Sequence, residues 1–223
     1  MISKLLQIIA PHHCYGCNKT GVILCSNCKY DITSEPFSGC IVCRKPSTAG
    51  VCMACTNSFN KAWCVGERHD TLETIINAYK FDRLQSSYKI LAELIDETMP
   101  VLPSNTLVVG IPTVPAHVRQ RGYDHVDLIV KEFCKLRKLE KSPVLRRVTS
   151  TTQRGASRAQ RLKHAKAAFE AKHALDDALP YLLIDDVVTT GATIEYAARA
   201  LREAGATVVW VAVVARQPLD KHS

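Results

Sequence analysis

Long apolar runs are missing from this 223-residue chain, and the longest, Val208 to Ala215, is far short of the ~20 residues that cross a bilayer. Membrane insertion is therefore not expected. Aromatic residues are scarce at 6%, and no stretch interleaves them with Lys or Arg, so no dedicated platform for stacking unpaired bases stands out. Low-complexity segments are missing as well. With 47% hydrophobic and 22% charged residues, the composition excludes a mostly disordered or collagenous chain. Met1 to Pro11 offers a single Lys and a short apolar stretch broken by Gln7, which is not the pattern of a cleaved secretory signal. A cytoplasmic location is the expectation.

Acidic residues are thin in one region. Between Lys135 and Lys172 twelve Lys and Arg face only Glu140 and Glu170, while the whole chain carries a net charge of +8. Such a block suits a polyanionic partner, a phosphorylated metabolite or a nucleic acid, and equally suits a solvated helix face.

Cysteine, by contrast, is abundant and unevenly placed. Nine of the ten lie in the first 64 residues, and eight form four C-x-x-C pairs: Cys14/Cys17, Cys25/Cys28, Cys40/Cys43 and Cys52/Cys55. The same segment holds Gly16, Gly21, Gly39 and Gly50 and little apolar material, too small a core to fold unaided. Two thiolate pairs complete a tetrahedral zinc shell, so eight ligands point to two structural ions. Short hairpins join Cys17 to Cys25 and Cys43 to Cys52, which favours neighbouring pairs sharing an ion; cross-bracing by alternate pairs is the other arrangement. A disulfide framework does not suit the cytoplasm, and a redox pair has no need of four copies. Four thiolates also leave no open position for catalysis by the metal. His12, His13 and Cys64 are surplus to both shells, and Cys134 falls on a helix as a small packing residue.

After about Cys64 the pattern changes, which sets the expected domains at 1–64 and 65–223. Leu72, Ile75, Ile76 and Tyr79 recur at helical spacing, as do Tyr88, Leu91, Ala92 and Ile95, and then Val126, Ile129, Val130 and Phe133. Thr106 to Ile111 reads as a buried strand ended by Pro112, followed by a loop rich in Pro and basic residues. Tyr181 to Ile184 is a second strand, Gly191 to Ala204 a helix stopped by Gly205, and Thr207 to Val214 a third strand. Apolar strands alternating with helices imply an α/β fold whose parallel sheet is covered by helices on both faces.

The most specific stretch is Leu182-Leu183-Ile184-Asp185-Asp186-Val187-Val188-Thr189-Thr190-Gly191-Ala192-Thr193. Backbone N–H groups of Thr189 to Thr193 and the following helix N-terminus can cradle a phosphate, with Gly191 allowing close approach and the Thr hydroxyls donating. Two carboxylates beside a phosphate would repel it unless they bind sugar hydroxyls or a divalent cation. A ribose phosphate satisfies both demands.

This stretch resembles the PRPP-binding signature of the type I phosphoribosyltransferases. The resemblance implies that Asp185 and Asp186 hold the ribose hydroxyls, directly or through Mg, and that Thr189, Thr190, Gly191, Ala192 and Thr193 hold the 5′-phosphate. Tyr79-Lys80-Phe81, Ile111-Pro112, Arg121-Gly122-Tyr123-Asp124, Gln153, Gly155, Arg158, Arg161 and Ala168-Phe169 narrow it to the ComF competence family, along nearly the whole chain. That family joins an N-terminal zinc-ribbon region to a phosphoribosyltransferase-like domain, so a double zinc ribbon is expected over 1–64. Gly122-Tyr123-Asp124 stands where the family commonly has Gly-Phe-Asn, and His164 where it commonly has Asn. Loops of such transferases close over the site and supply cations to pyrophosphate: Arg161 first, with Arg158 and Lys163, and Arg119 and Arg121 from the other side. Lys80 is a weaker candidate, because a Lys there also complements a helix dipole.

Three functions follow as expectations. The resemblance implies a cytoplasmic role in natural transformation, binding single-stranded DNA and working with an import helicase or recombination proteins. The second is an active transferase moving ribose 5-phosphate from PRPP to an unidentified acceptor, with Asp185, Asp186 and Arg161 in the chemistry. The third is a silent PRPP sensor. The zinc region is expected to occupy the place of the acceptor-binding hood, and Asp186→Asn to weaken PRPP binding without unfolding the chain.

Overall fold

The computed structural model describes residues 12–81, 86–148 and 168–218. Arg158, Arg161, Lys163 and His164, with most of the basic block, lie outside them.

The cysteine segment opens with two turns built alike. In each, the residue after the second cysteine is left-handed (Asn18, φ 62°; Arg44, φ 64°), and the first cysteine's N–H donates to the backbone two residues past the second (Lys19 O at 2.8 Å; Lys45 O at 2.9 Å). Helix α1 (Ser26–Thr33) follows the first unit.

Strand β1 (Lys61–Glu67) then enters the main sheet, so the expected division at residue 64 falls inside it. Helices α2 (Asp70–Lys80) and α3 (Ser87–Thr98) come next. Strand β2 (Leu107–Gly110) precedes a short helix α4 (Pro115–Arg121), where a loop was expected. Its seven residues open on proline and bury nothing, so they carry no apolar period to betray a helix. Helix α5 (His125–Arg137) leads to β3 (Glu140–Lys141) and to a small antiparallel pair, β4 (Leu145–Arg147) with β5 (Phe169–Ala171). Strand β6 (Pro180–Val188), helix α6 (Ala192–Glu203) and strand β7 (Val208–Arg216) complete the order.

The main sheet runs β1-β7-β6-β2-β3, and every neighbouring pair is parallel. Helices α2, α3 and α5 pack on one face together with Leu182 and Ile184, while α6 and the β4–β5 pair pack on the other with Tyr181 and Leu183. That division follows from the two-residue period of strand β6. Strand β1 is a sheet edge, and the two cysteine units straddle it. Cys14, Leu24 and Cys25 join the α2/α3/α5 core, whereas Ile41 and Phe59 join the α6 core.

Each unit is tied down locally. Lys29 of α1 pairs with Glu93 and with Glu97 (3.4 Å) on α3. On the other face Ser58 donates from its N–H and hydroxyl to Glu195 (2.8 and 2.7 Å), and Ala62 N donates outward from β1 to Ala49 O (2.8 Å). Gly50 makes that approach possible: its φ is +68°, and a Cβ there would lie 2.0 Å from Ala62 O.

Candidate functional site

In an open parallel sheet the ligand crevice forms at the carboxyl ends of strands where their following helices go to opposite faces. Here that point is between β2, whose helix α5 lies on one face, and β6, whose helix α6 lies on the other. A cleft of about 220 Å³ opens there, lined by Lys80, Thr113, His117, Arg121, His125, Arg147, Asp185, Asp186 and Thr193 among others.

Alternation along β6 gives the two aspartates different neighbours. Asp186 points to the α2/α5 side, where Lys80 Nζ lies 2.5 Å and His125 Nε2 2.8 Å from its Oδ2. Asp185 points to the other side, accepts the Asp186 N–H at 2.9 Å, and stays partly open to the cleft. Dense protein nonetheless surrounds it: burial first, and then the negative Asp186, push its carboxyl up to about 8. Burial would raise Asp186 as well, but the His125 hydrogen bond and the Lys80 charge hold it well below the ordinary carboxylate range.

The ring of His125 is held from both sides. Arg121 Nη1 lies 3.0 Å from His125 Nδ1, and a guanidinium only donates, so Nδ1 is the acceptor there, while Nε2 lies 2.8 Å from Asp186 Oδ2. Asp124 caps α5 by accepting from Val126 N (3.1 Å) and Asp127 N (3.2 Å), and takes the Thr113 hydroxyl at 2.8 Å. Tyr79 OH donates to His125 O (2.7 Å) and Tyr123 OH donates to Tyr79 O, stapling the end of α2 to the start of α5. The Gly-Tyr-Asp departure at residues 122–124 is therefore built into the frame that aims Lys80 and His125 at Asp186.

Beyond β6 the chain turns through Thr189 and Thr190, both exposed, to Gly191, whose left-handed φ of 81° starts α6. Thr190 Oγ1 accepts from Ala192 N at 3.4 Å, and Thr193 reaches the cleft wall. Of the expected phosphate turn, Thr193 thus meets both aspartates at one cleft, while Thr189 to Ala192 lie just outside its lining. Arg121 joins them, whereas Arg119 is exposed on the same helix. Sequence reasoning underrated Lys80 and missed His125 and Arg147; the signal for Lys80 was its place between Tyr79 and Phe81. Arg147 donates to Pro112 O at 3.2 Å and lies 4.5 Å over the Phe169 ring, fixed beside Asp185.

The basic block reads differently in three dimensions. Lys135 pairs with Glu132, Arg137 with Asp96, Lys141 with Asp127 and Arg146 with Glu170, so much of its described charge is already neutralised within the chain.

The eight cysteines fall into two groups, Cys14/Cys17/Cys25/Cys28 and Cys40/Cys43/Cys52/Cys55, the sulfurs of each lying within 4.8 Å of one another. Sulfurs on a zinc tetrahedron sit ~3.8 Å apart, given Zn–S bonds of ~2.3 Å. Cys17 and Cys25 sulfurs are 3.6 Å apart, and Cys43 and Cys52 sulfurs 3.4 Å. The donor set fits zinc, and the pairing is the neighbouring one. Hydrogen bonds, first from Cys43, push Cys52 down to about 6, while contact with Cys43 and burial push Cys55 up to about 12. Four thiolates this close need a cation among them. Cys64 stands apart, buried in β1 with its thiol donating to Gly66 O at 3.2 Å.

Magnesium is a harder cation that takes carboxylate oxygens, and Asp185 offers the more available one, because Lys80 and His125 already occupy Asp186 Oδ2.

A parallel sheet with this cleft at its switch point, an Asp-Asp strand end and a Thr/Gly turn is the arrangement expected of a phosphoribosyltransferase-type domain, and the phosphoribosyl transferase domain family model matches residues 145–222. Competence protein F of Haemophilus influenzae is 28% identical over 221 residues, 92% of this chain and 95% of that one. Competence protein ComFC of Streptococcus pneumoniae is 28% identical over 193 residues, 82% of this chain and 83% of that one. Along most of its length, and in its paired cysteine groups, this chain is similar to the ComF competence proteins. Among solved structures, the allosteric regulatory enzyme of purine biosynthesis aligns with a TM-score of 0.42, 20% identity and 56% of this chain covered. Glutamine PRPP amidotransferase from B. subtilis aligns with a TM-score of 0.40, 18% identity and 65% covered. This chain spans 25% and 26% of the lengths of those two.

Proposed function

We propose that this is a ComF-type protein of natural transformation whose cleft binds PRPP with magnesium, and that it acts on single-stranded DNA in the cytoplasm. One observation carries the ligand assignment: Asp185 and Asp186 at the strand end and Thr193 at the end of the turn line one cleft, with Lys80, Arg121 and Arg147 around it. The cations suit a pyrophosphate and the turn suits a 5′-phosphate. Asp185 holds the ribose hydroxyls and the metal, and Asp186 anchors Lys80. Arg161 and Arg158 remain candidates for pyrophosphate. The DNA role rests on the competence relatives rather than on surface charge.

Calorimetric titration with PRPP, with and without magnesium, tests the site. Saturable binding strengthened by magnesium supports it, and no binding at millimolar PRPP refutes it. Pyrophosphate release with a nucleophile present would make the chain a transferase; tight binding without release would make it a PRPP sensor. DNA affinity should fall steeply with added salt, and no binding at low salt would reject that role.

A further inference from the structure

The two cysteine groups are built alike but docked differently. The first meets the α2/α3 side through Lys29 on Glu93 and Glu97. The second reaches the turn that follows β6. Val42, between Cys40 and Cys43, packs its Cγ2 3.1 Å from where a Cβ on Gly191 would be. Its carbonyl accepts from Arg216 Nη2 at 3.0 Å. Arg216, 5% exposed at the end of β7, also donates through Nη1 to Thr189 O and to Val188 O (3.3 Å). One buried guanidinium thus joins the Cys40–Cys43 turn to the last residue of β6 and the first of the phosphate turn. Arg44, just past Cys43, donates to Gln217 O, and Gln217 N donates to Val188 O (2.8 Å), giving a second connection.

A carbonyl turned toward Arg216 commits the flanking peptide planes, and with them the direction of the N–H groups that follow. Anion cradles depend on that direction. Zinc held by the second group would keep Val42 and its carbonyl in place.

We propose that Arg216 is a positioning residue for the phosphate turn and that, through it and Val42, phosphate binding depends on the Cys40/Cys43/Cys52/Cys55 group and not on the other. The proposal rests on the reading of 189–193 as the phosphate site, but the coupling itself is measurable without ligand.

The test uses the full-length zinc-loaded protein and four variants: Arg216→Lys, Val42→Ala, Cys43→Ser and, as the control at the first group, Lys29→Met. A lysine keeps the charge but cannot bridge three carbonyls through a planar fork. Amide hydrogen exchange over 188–193 without ligand is the first readout, with 126–133 of α5 as internal reference. Calorimetry with ribose 5-phosphate is the second, and metal content the third. Arg216→Lys should keep both zinc ions, speed exchange at 188–193 by about tenfold and weaken ribose 5-phosphate by a similar factor, the effect of losing a charge-assisted hydrogen bond. Val42→Ala should move both in the same direction, and Lys29→Met neither. If Cys43→Ser does not fold, the Arg216 and Val42 variants decide the matter alone. Wild-type exchange at 188–193 in Arg216→Lys, or an equal change in Lys29→Met, would overturn the coupling. Failure of the wild type to bind ribose 5-phosphate would overturn the phosphate reading instead, with the exchange arm still deciding whether Arg216 orders the turn.

Discussion

Replacing Asp186 by Asn tests the logic of the cleft most directly, because it removes one charge and almost no volume. Lys80 keeps only 16% of its side-chain surface in water and Asp186 only 8%, so the substitution strands a mostly buried ammonium. Breaking a buried pair from one side costs 3–5 kcal/mol, and the residual solvent at Lys80 argues for the lower end, about 3 kcal/mol. His125 Nε2, 2.8 Å from Asp186 Oδ2, still faces a polar atom when Asn replaces the carboxylate. With a urea dependence of ~3 kcal/mol per molar, the unfolding midpoint should fall by about 1 M. Lys80→Met alone should cost a similar amount by stranding the carboxylate, whereas the Lys80→Met/Asp186→Asn double variant should lose only ~1 kcal/mol. Such strong non-additivity is what a direct pair produces. A midpoint for Asp186→Asn within 0.2 M of wild type, or additive losses in the double variant, would refute the pairing. Asp186→Asn is expected to weaken PRPP binding without unfolding the chain, but this geometry adds a loss of stability, so Asp185→Asn is the better probe of ligand affinity alone.

Asp185 gives the pH prediction. Its folded pKa of about 8 lies above that of an unfolded carboxyl, so its contribution to stability is fully present below about pH 4 and is lost as pH rises through 8. Magnesium needs the carboxylate, so PRPP binding near pH 7 should release a proton, seen as buffer-dependent calorimetric enthalpy; Asp185→Asn should abolish that dependence. Metal analysis should find two zinc ions per chain, and chelation should free eight thiols to a colorimetric reagent before Cys64 and Cys134 respond, since both are buried outside the groups. Gly50→Ala should cost at least ~3 kcal/mol, because its backbone is left-handed and Ala62 O occupies the Cβ position, while Gly21→Ala, also left-handed but with nothing within 4 Å, should cost ~1 kcal/mol. Equal melting temperatures for the two would contradict the close approach.

What was legible in the sequence was local. Helices α2, α3, α5 and α6 and strands β2, β6 and β7 each carry enough apolar residues for a period to show, and Asp185-Asp186 with its turn is a contiguous string. Strand β1 was hidden because its Cys64 was counted with the cysteine region, although Ala62, Cys64 and Val65 are buried in the sheet. The β4–β5 pair has three residues to a strand, below the length at which alternation means anything. Lys80, His125 and Arg147 come from α2, α5 and β4, and only the tertiary fold brings them to one cleft. No local pattern records which aspartate receives the lysine; the pleat of β6 decides it.

Strand β1 closes one margin of the parallel sheet, and its outward N–H at Ala62 is satisfied by a carbonyl from the second cysteine unit. Demetallation would therefore do more than loosen a small module. It would bare a row of unpaired backbone groups on a strand already held straight by β7, a template onto which a strand of another molecule can add. Metal supply during synthesis then governs solubility as well as folding, and chain made in zinc-starved cells should collect as β-rich precipitate rather than as dispersed unfolded protein.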